Sequence, residues 1–215
     1  MKINGSEKSS VAWFKLAEYV GRGERERALT LYRLLIHSLV DQAFVKKLEA
    51  DLWLSFDALE AEQCYRTAAE MYAKANKYEE AFQIYQLLYN HYTFTIVDFE
   101  RCVELAVIVG LKVKEQFFAQ QLMSAFIEKA SFDDARRLFF RYQNCMTSEQ
   151  CLNFYMTFIF KALQASYHET DKLREFVDAT VISFKAKQDA VGLENFLQRV
   201  AIINQGAYKS IAPFV

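Results

Sequence analysis

The stretch Ala61 to Tyr89, AEQCYRTAAEMYAKANKYEEAFQIYQLLY, divides into two amphipathic helices joined by a tight turn. Apolar or small residues at Tyr65, Ala68, Ala69, Tyr72 and Ala73 follow the i, i+3, i+4, i+7, i+8 spacing of one helical face. Tyr78, Ala81, Phe82, Tyr85, Leu88 and Tyr89 repeat that period. Between the two runs lies Ala75-Asn76-Lys77, and Asn tolerates the left-handed conformation that ends a helix. Glu79 and Glu80 then fall in a first turn, where the helix dipole favours negative charge. The small residues Ala68, Ala69 and Ala81 let two antiparallel helices approach closely. The rings of Tyr72, Tyr78 and Tyr85 fill the space around those contacts.

This arrangement resembles the tetratricopeptide repeat. That family places a large residue, small residues and an aromatic in its first helix, then a turn residue, an aromatic, a small residue and an aromatic in its second. Tyr65, Ala68, Ala69, Tyr72, Asn76, Tyr78, Ala81 and Tyr85 take those places. Leu122, Met123, Phe126, Ala130, Phe132, Ala135 and Phe139 match in the same register, and Ala12, Leu16, Tyr19, Gly23, Ala28 and Tyr32 match more weakly. The family's proline near the repeat end is absent from all three stretches, and its small residue is absent at Leu16 and Met123. The matched alanines, Ala28, Ala81 and Ala135, lie 53 and 54 residues apart. The family's own period is about 34, so each signature pair is followed by one extra helix. The resemblance implies an α-solenoid of antiparallel helix pairs.

Composition agrees with a helical domain. Of 215 residues, 53% are apolar and 15% aromatic, which excludes a disordered chain. One Pro and six Gly suit helices with short turns and argue against a many-turned β protein. Lys and Arg number 26 against 27 Asp and Glu, a balance with no general drive toward nucleic acid or anionic membrane. The start, MKINGSEKSS, has no apolar core of a signal peptide. The most apolar run, Cys151 to Leu163, is too short to span a bilayer, so no membrane insertion is expected. Cys64, Cys102, Cys145 and Cys151 have no framework spacing and read as reduced packing cysteines of a cytoplasmic protein.

About eleven helices are expected, and no sheet. Residues 1–8 read as a disordered N-terminus, 9–203 as one helical-repeat domain, and 204–215 as a tail. The first helix is expected over Ser9 to Val20, with Gly21 and Gly23 ending it. Asp57-Ala-Leu-Glu60 and Thr147-Ser-Glu-Gln150 have capping-box spacing and open the fourth and ninth helices. Ser131 starts the eighth, Gly110 ends the sixth, and Asp189 caps the eleventh. Tyr208, Ile211 and Phe214 are expected to let the tail fold back over the last helix.

The sequence holds no catalytic signature. Gly21-Arg22-Gly23 lacks the Lys and Ser/Thr of a phosphate loop, and neither a Gly-x-Ser-x-Gly elbow nor a His-Glu-x-x-His pair occurs. His37, His91 and His168 stand near helix ends, where they meet exposed carbonyls. Glu79-Glu80 and Asp133-Asp134 read as first-turn acids rather than acid/base pairs. No enzyme activity, cofactor or metal is expected.

The expected function is a scaffold or adaptor that binds a peptide or helix of another protein within a larger assembly. Its groove would be lined by the first helix of each pair, at Arg66, Glu70, Lys74, Gln120, Ser124 and Glu128. Some tetratricopeptide domains grip a chaperone's terminal carboxylate with a Lys–Asn pair. The matching positions here are Trp13 and Ala17, Arg66 and Glu70, and Gln120 and Ser124, which excludes that mode. The rival expectation is single-stranded RNA along an arginine edge at Arg22, Arg25, Arg136, Arg137 and Arg141. Phe132-Asp-Asp-Ala-Arg-Arg-Leu-Phe139 resembles the second helix of the pentatricopeptide repeats, which read RNA. Glu24, Glu26, Asp133 and Asp134 interleave those arginines and favour a solvated, mixed-charge face.

The first helix does not look like a polar cap. Val11, Trp13, Phe14, Leu16 and Val20, with Ala17 and Tyr19, leave only Lys15 and Glu18 polar between Ser10 and Gly21. A homodimer or a heterologous contact through this helix is expected.

Overall fold

The computed structural model describes residues 5–56, 59–165, 167 and 170–205. Among them are eleven α-helices: α1 (Gly5–Gly21), α2 (Arg25–Ile36), α3 (Gln42–Leu54), α4 (Glu60–Lys74), α5 (Tyr78–His91), α6 (Ile96–Val109), α7 (Lys112–Glu128), α8 (Phe132–Tyr142), α9 (Ser148–Gln164), α10 (Thr170–Ala186) and α11 (Ala190–Ile203). A short 3-10 turn, Gln143–Cys145, follows α8. No described residue forms a strand.

The chain forms two compact units. The first comprises the residues up to Phe94 together with Glu104–Leu111. The second comprises Thr95–Val103 and the chain from Lys112 onward.

In the first unit α1 packs on α2, α3 on α4, and α4 on α5. Ala28, Ala61, Ala68, Ala69 and Ala81 are wholly buried, as expected of residues that let helix backbones approach. Ala28, Leu29, Tyr32 and Leu52 form a core into which Leu16, Tyr19 and Val20 of α1 pack. Two interior tyrosines have their hydroxyls satisfied, as burial requires. Tyr32 donates to the Val45 carbonyl at 2.9 Å, and Tyr65 donates to the Asp51 carboxylate at 2.6 Å.

In the second unit α7 packs on α8 and α9, α9 on α10, and α11 on both α9 and α10. Its core is aromatic. Phe139 stacks on Phe154 with ring centroids 4.4 Å apart, and Phe158 meets Phe176 edge-on at 4.6 Å. Ala135 is wholly buried.

One backbone device recurs at helix ends. Gly23, Asn76, Gly110, Ala130 and Gln188 all have positive φ, between 54° and 80°. In each case the next residue's N–H reaches back five residues: Glu24 to Tyr19, Lys77 to Tyr72, Leu111 to Ala106, Ser131 to Phe126, and Asp189 to Phe184. These are Schellman closures, which satisfy the last carbonyls and turn the chain sharply. Four of them join the pairs α1–α2, α4–α5, α7–α8 and α10–α11. Asn76, Gly23 and Gly110 behave as the sequence predicts. The pair α10–α11, closed at Gln188, carries no recognisable signature, because Thr180, Val181 and Leu193 stand where α4 and α5 have alanines.

Several boundaries differ from expectation. Helix α1 begins at Gly5, so residues 5–8 are helical rather than frayed, and Gly21 is its last residue rather than its stop. Without Pro in this polar segment nothing prevents the helix from extending backward. Helix α4 begins at Glu60, Leu59 before it makes no side-chain cap bond, and the capping box expected here rests on Asp57. Asp57 lies outside the described residues, as do His168, Tyr208, Ile211 and Phe214. The Thr147–Gln150 box is present, with the Thr147 hydroxyl accepting from the Gln150 N–H and the Gln150 side chain accepting from the Thr147 N–H. Asp189 caps α11 through the Gly192 N–H at 2.8 Å. Ser131 precedes α8 but makes no side-chain cap bond. Tyr72, Tyr85 and Phe139 are buried as expected, whereas Phe126 is only half-buried.

Candidate functional site

The expected groove residues fall in different units, three on α4 and three on α7. Arg66, Glu70 and Lys74 recur every four residues and so share one face of α4. Glu70 and Lys74 are exposed, and Arg66 is half-buried. The Arg66 guanidinium forks onto the Glu62 carboxylate, with Nε at 3.0 Å and Nη2 at 2.9 Å. This intrahelical pair fixes the arginine along its own helix.

On α7, Gln120, Ser124 and Glu128 also share one face, and each meets a different surrounding. The Gln120 side-chain oxygen accepts from the Gln150 amide at 3.4 Å, linking α7 to the start of α9. Glu128 accepts from the Lys161 ammonium at 2.9 Å, linking α7 to the later part of α9. Both bridges advance in the same direction along the two helices, so α7 and α9 run parallel. Ser124 is exposed between the bridges and donates to the Gln120 carbonyl at 3.2 Å.

A cleft of about 250 Å3 opens between α7 and α9. Met123, Ile127, Met146 and Phe154 supply its apolar lining. Gln120, Gln121, Ser124, Gln150, Asn153 and Thr157 supply the polar part. No charged side chain lines it. Gln120 and Ser124 were expected at a groove. Gln121, Gln150, Asn153 and Thr157 were not: the last three lie on α9, an extra helix outside the signature pairs, and Gln121 lies beside the assigned row of α7. The signal was present: Gln150, Asn153 and Thr157 form an uncharged polar row at helical spacing, directly after a strong capping box.

The arginine edge is engaged internally. Arg22 pairs with Glu18 at 2.6 Å, and the Arg25 guanidinium lies 4.9 Å from the centre of the Trp53 ring. Arg136 pairs with Glu175 at 2.8 Å and lies over the Phe140 ring at 4.8 Å. Arg137 pairs with Asp134, and Arg141 lies over Tyr142 at 5.4 Å. Asp133 accepts from Tyr167 and Lys172, both at 2.9 Å. The Lys172 bond, then the Tyr167 bond, holds its carboxyl below the ordinary range.

Glu79, Glu80, Asp133 and Asp134 stand in first helical turns. His91 ends α5, and His37 follows α2. Among the described residues no three His, Cys, Asp or Glu side chains are grouped to hold a metal ion. Cys64 and Cys102 are buried, and burial pushes both thiols up; Cys145 is exposed, so a packing role does not extend to it. No helix among the described residues is long and apolar enough to cross a membrane.

On α1, Val11 and Phe14 are exposed, at 53% and 77%. Trp13, Leu16 and Val20 are half-buried, the latter two against the core of the first unit. Compared with models of known protein families and with curated proteins, the chain matches none.

Proposed function

We propose that this protein is a non-catalytic scaffold or adaptor, built as a tetratricopeptide-like stack of helices, that binds a segment of a partner protein. Four helix pairs closed by the same left-handed turn support the repeat reading. Gly23, Asn76, Ala130 and Gln188 lie 53, 54 and 58 residues apart, a period set by a pair plus one intervening helix. Stacked pairs of this kind present the faces of their first helices as binding surface.

The observation that carries the functional reading is the cleft beside α7. It contains Gln120 and Ser124, two residues of the expected groove, and it combines an apolar lining with uncharged hydrogen-bonding groups. On α4 the exposed Glu70 and Lys74 offer charged contacts of their own. The Val11 and Phe14 face of α1 supplies a separate apolar contact, for a second copy or a heterologous subunit. The carboxylate partners of Arg22, Arg136 and Arg137 offset the charge of three of the five arginines and support a protein partner over RNA.

Affinity capture from the native cell, followed by mass spectrometry, tests the reading. A partner retained by the wild type should be lost with Glu70→Lys or Ser124→Arg, both at exposed sites that leave folding intact. Capture of the same proteins by both variants overturns the groove assignment. Titration with single-stranded RNA at two salt concentrations tests the rival, since phosphate binding through several arginines has a steep salt slope.

A further inference from the structure

We infer that the cleft between α7 and α9 takes an extended, uncharged peptide segment of the partner, anchored by one apolar side chain; this rests on the scaffold reading above. Three features of the cleft carry the inference: its bridges, its lining and its size.

Two bridges join the helices on either side of it, Gln120–Gln150 within the lining and Glu128–Lys161 just beyond it. Eight residues separate these bridges on α7 and eleven on α9. At 1.5 Å per residue the open length is roughly 12 Å on one wall and roughly 16 Å on the other. An extended chain rises about 3.3 Å per residue, so roughly four residues fit between the bridges.

The lining sets the chemistry. Gln150 is committed at both ends of its carboxamide, accepting from the Thr147 N–H at 2.8 Å and donating to Gln120. It therefore acts as wall rather than as ligand. The Ser124 and Thr157 hydroxyls donate to carbonyls of their own helices. The carboxamides of Gln121 and Asn153 remain available, on opposite walls. A carboxamide offers both an acceptor and donors, which matches a peptide main chain. A charged side chain brought among the lining residues would lose water, and Glu128 and Lys161 just beyond them already pair with each other. Beneath the rim, Met123 and Ile127 are buried and Met146 is half-buried. Methionines adapt to side chains of different shape. The volume of about 250 Å3 suits one large side chain, whereas a helix about 10 Å across would stand on the rim.

Two of the chain's five methionines, Met123 and Met146, line the cleft. Methyl-labelled methionine in the full chain therefore reports on it directly, with Met71 of the first unit as internal control. The probes are acetylated, amidated heptapeptides of Gly, Ser, Thr, Asn and Gln, with Leu, Met or Phe at the centre. A second set carries Glu on both sides of the apolar residue, and a third is a helix-stapled version of the first. The uncharged extended probes should shift the Met123 and Met146 signals saturably and leave Met71 unmoved. The acidic set should bind about tenfold more weakly, the loss of about 1.4 kcal/mol that one poorly compensated charge brings. Asn153→Ala should weaken the uncharged set, and Thr157→Lys should shift preference toward the acidic set; both sites are exposed, so the fold is retained. Unmoved Met123 and Met146 signals with every uncharged probe, equal binding of acidic and neutral probes, or stronger binding of the stapled helix overturns the inference. If that happens while Glu70→Lys and Ser124→Arg still abolish capture of a native partner, the scaffold reading stands without it.

Discussion

The Tyr142 hydroxyl donates a 2.8 Å hydrogen bond to the Glu115 carboxylate, and both side chains are buried. It ties the end of α8 to the start of α7. The second carboxylate oxygen accepts from Lys112 at 3.2 Å. A buried carboxylate needs such partners, because losing one leaves its desolvation uncompensated. Tyr142→Phe should therefore cost about 1–3 kcal/mol, read from urea unfolding. Burial first, then the bond to Glu115, pushes the Tyr142 hydroxyl up to about 12. Its contribution is complete below the ordinary tyrosine value near 10. It is lost as pH rises through the interval from there to about 12, because the unfolded chain ionises first. Stability of the wild type should fall more steeply over that interval than that of Tyr142→Phe. Equal slopes would mean that Tyr142 titrates as an ordinary exposed tyrosine.

Left-handed closures separate what the sequence shows from what it hides. Asn76 and Gly23 announce the turn, since both residue types tolerate positive φ. Ala130 adopts the same conformation at φ 57° with a residue that disfavours it. Ala130→Gly should relieve that strain and stabilise the second unit by about 1 kcal/mol. A fall in melting temperature would contradict the closure at this residue.

The alanine signature was legible because close packing admits few residue types. Ala28, Ala81 and Ala135 are each 0% exposed, as the spacing of 53 and 54 predicts. Ala81→Leu should overpack the α4–α5 contact and cost about 1–3 kcal/mol. An unchanged melting curve would remove the basis for aligning the three stretches. The cleft was only half legible. Gln120 and Ser124 were found by their place in a repeat, but Gln121, Gln150, Asn153 and Thr157 depend on how α9 packs. Helical period alone does not determine which neighbour a third helix meets. The buried Glu115 was missed for a similar reason: its partner Tyr142 is 27 residues away.

Asp41 caps α3 and also anchors the turn between α4 and α5. Its carboxylate accepts from the Ala43 and Phe44 N–H groups at 3.0 and 3.1 Å, and from the Lys77 ammonium at 2.6 Å. The Lys77 bond, then the Phe44 bond, holds the Asp41 carboxyl below its ordinary range, and the same pair raises the Lys77 ammonium. The sign for the acid is that its contribution is present above the unfolded carboxyl value and lost as pH falls through the lower folded value. For Lys77 the contribution is present below the unfolded ammonium value and lost as pH rises through the higher folded one. Asp41→Ala should cost about 1–2 kcal/mol near neutral pH, chiefly through the cap. Lys77→Met should remove the exposed ion pair and the contact of the ammonium with the Tyr72 ring, a smaller loss. Both variants should show a shallower acid limb as pH falls below the ordinary carboxyl value. If the two lose equal stability, the cap contributes nothing.

Phe14 stands on the outer face of α1, 77% exposed, one turn from Val11 at 53%. The opposite face of the same helix packs Leu16, Tyr19 and Val20 into the first unit. An exposed phenylalanine costs the isolated chain. A buried Phe covers about 150–250 Å2, so Phe14 leaves roughly 100–200 Å2 of it open to water. At about 25 cal/mol per Å2 this amounts to roughly 2.5–5 kcal/mol in each copy. Association opposes this with about 4–15 kcal/mol. Because a two-fold contact buries Phe14 and Val11 twice, self-association through α1 comes within reach, whereas a contact with a polar surface does not. Light scattering on the purified chain at tens of micromolar should therefore give a dimer, and Phe14→Glu should give a monomer with an unchanged melting temperature. Trp13→Glu should instead destabilise the fold, since Trp13 is half-buried on α1. A wild type that is monomeric at those concentrations, and a Phe14→Glu variant that still captures every native partner, would together remove α1 as an interface.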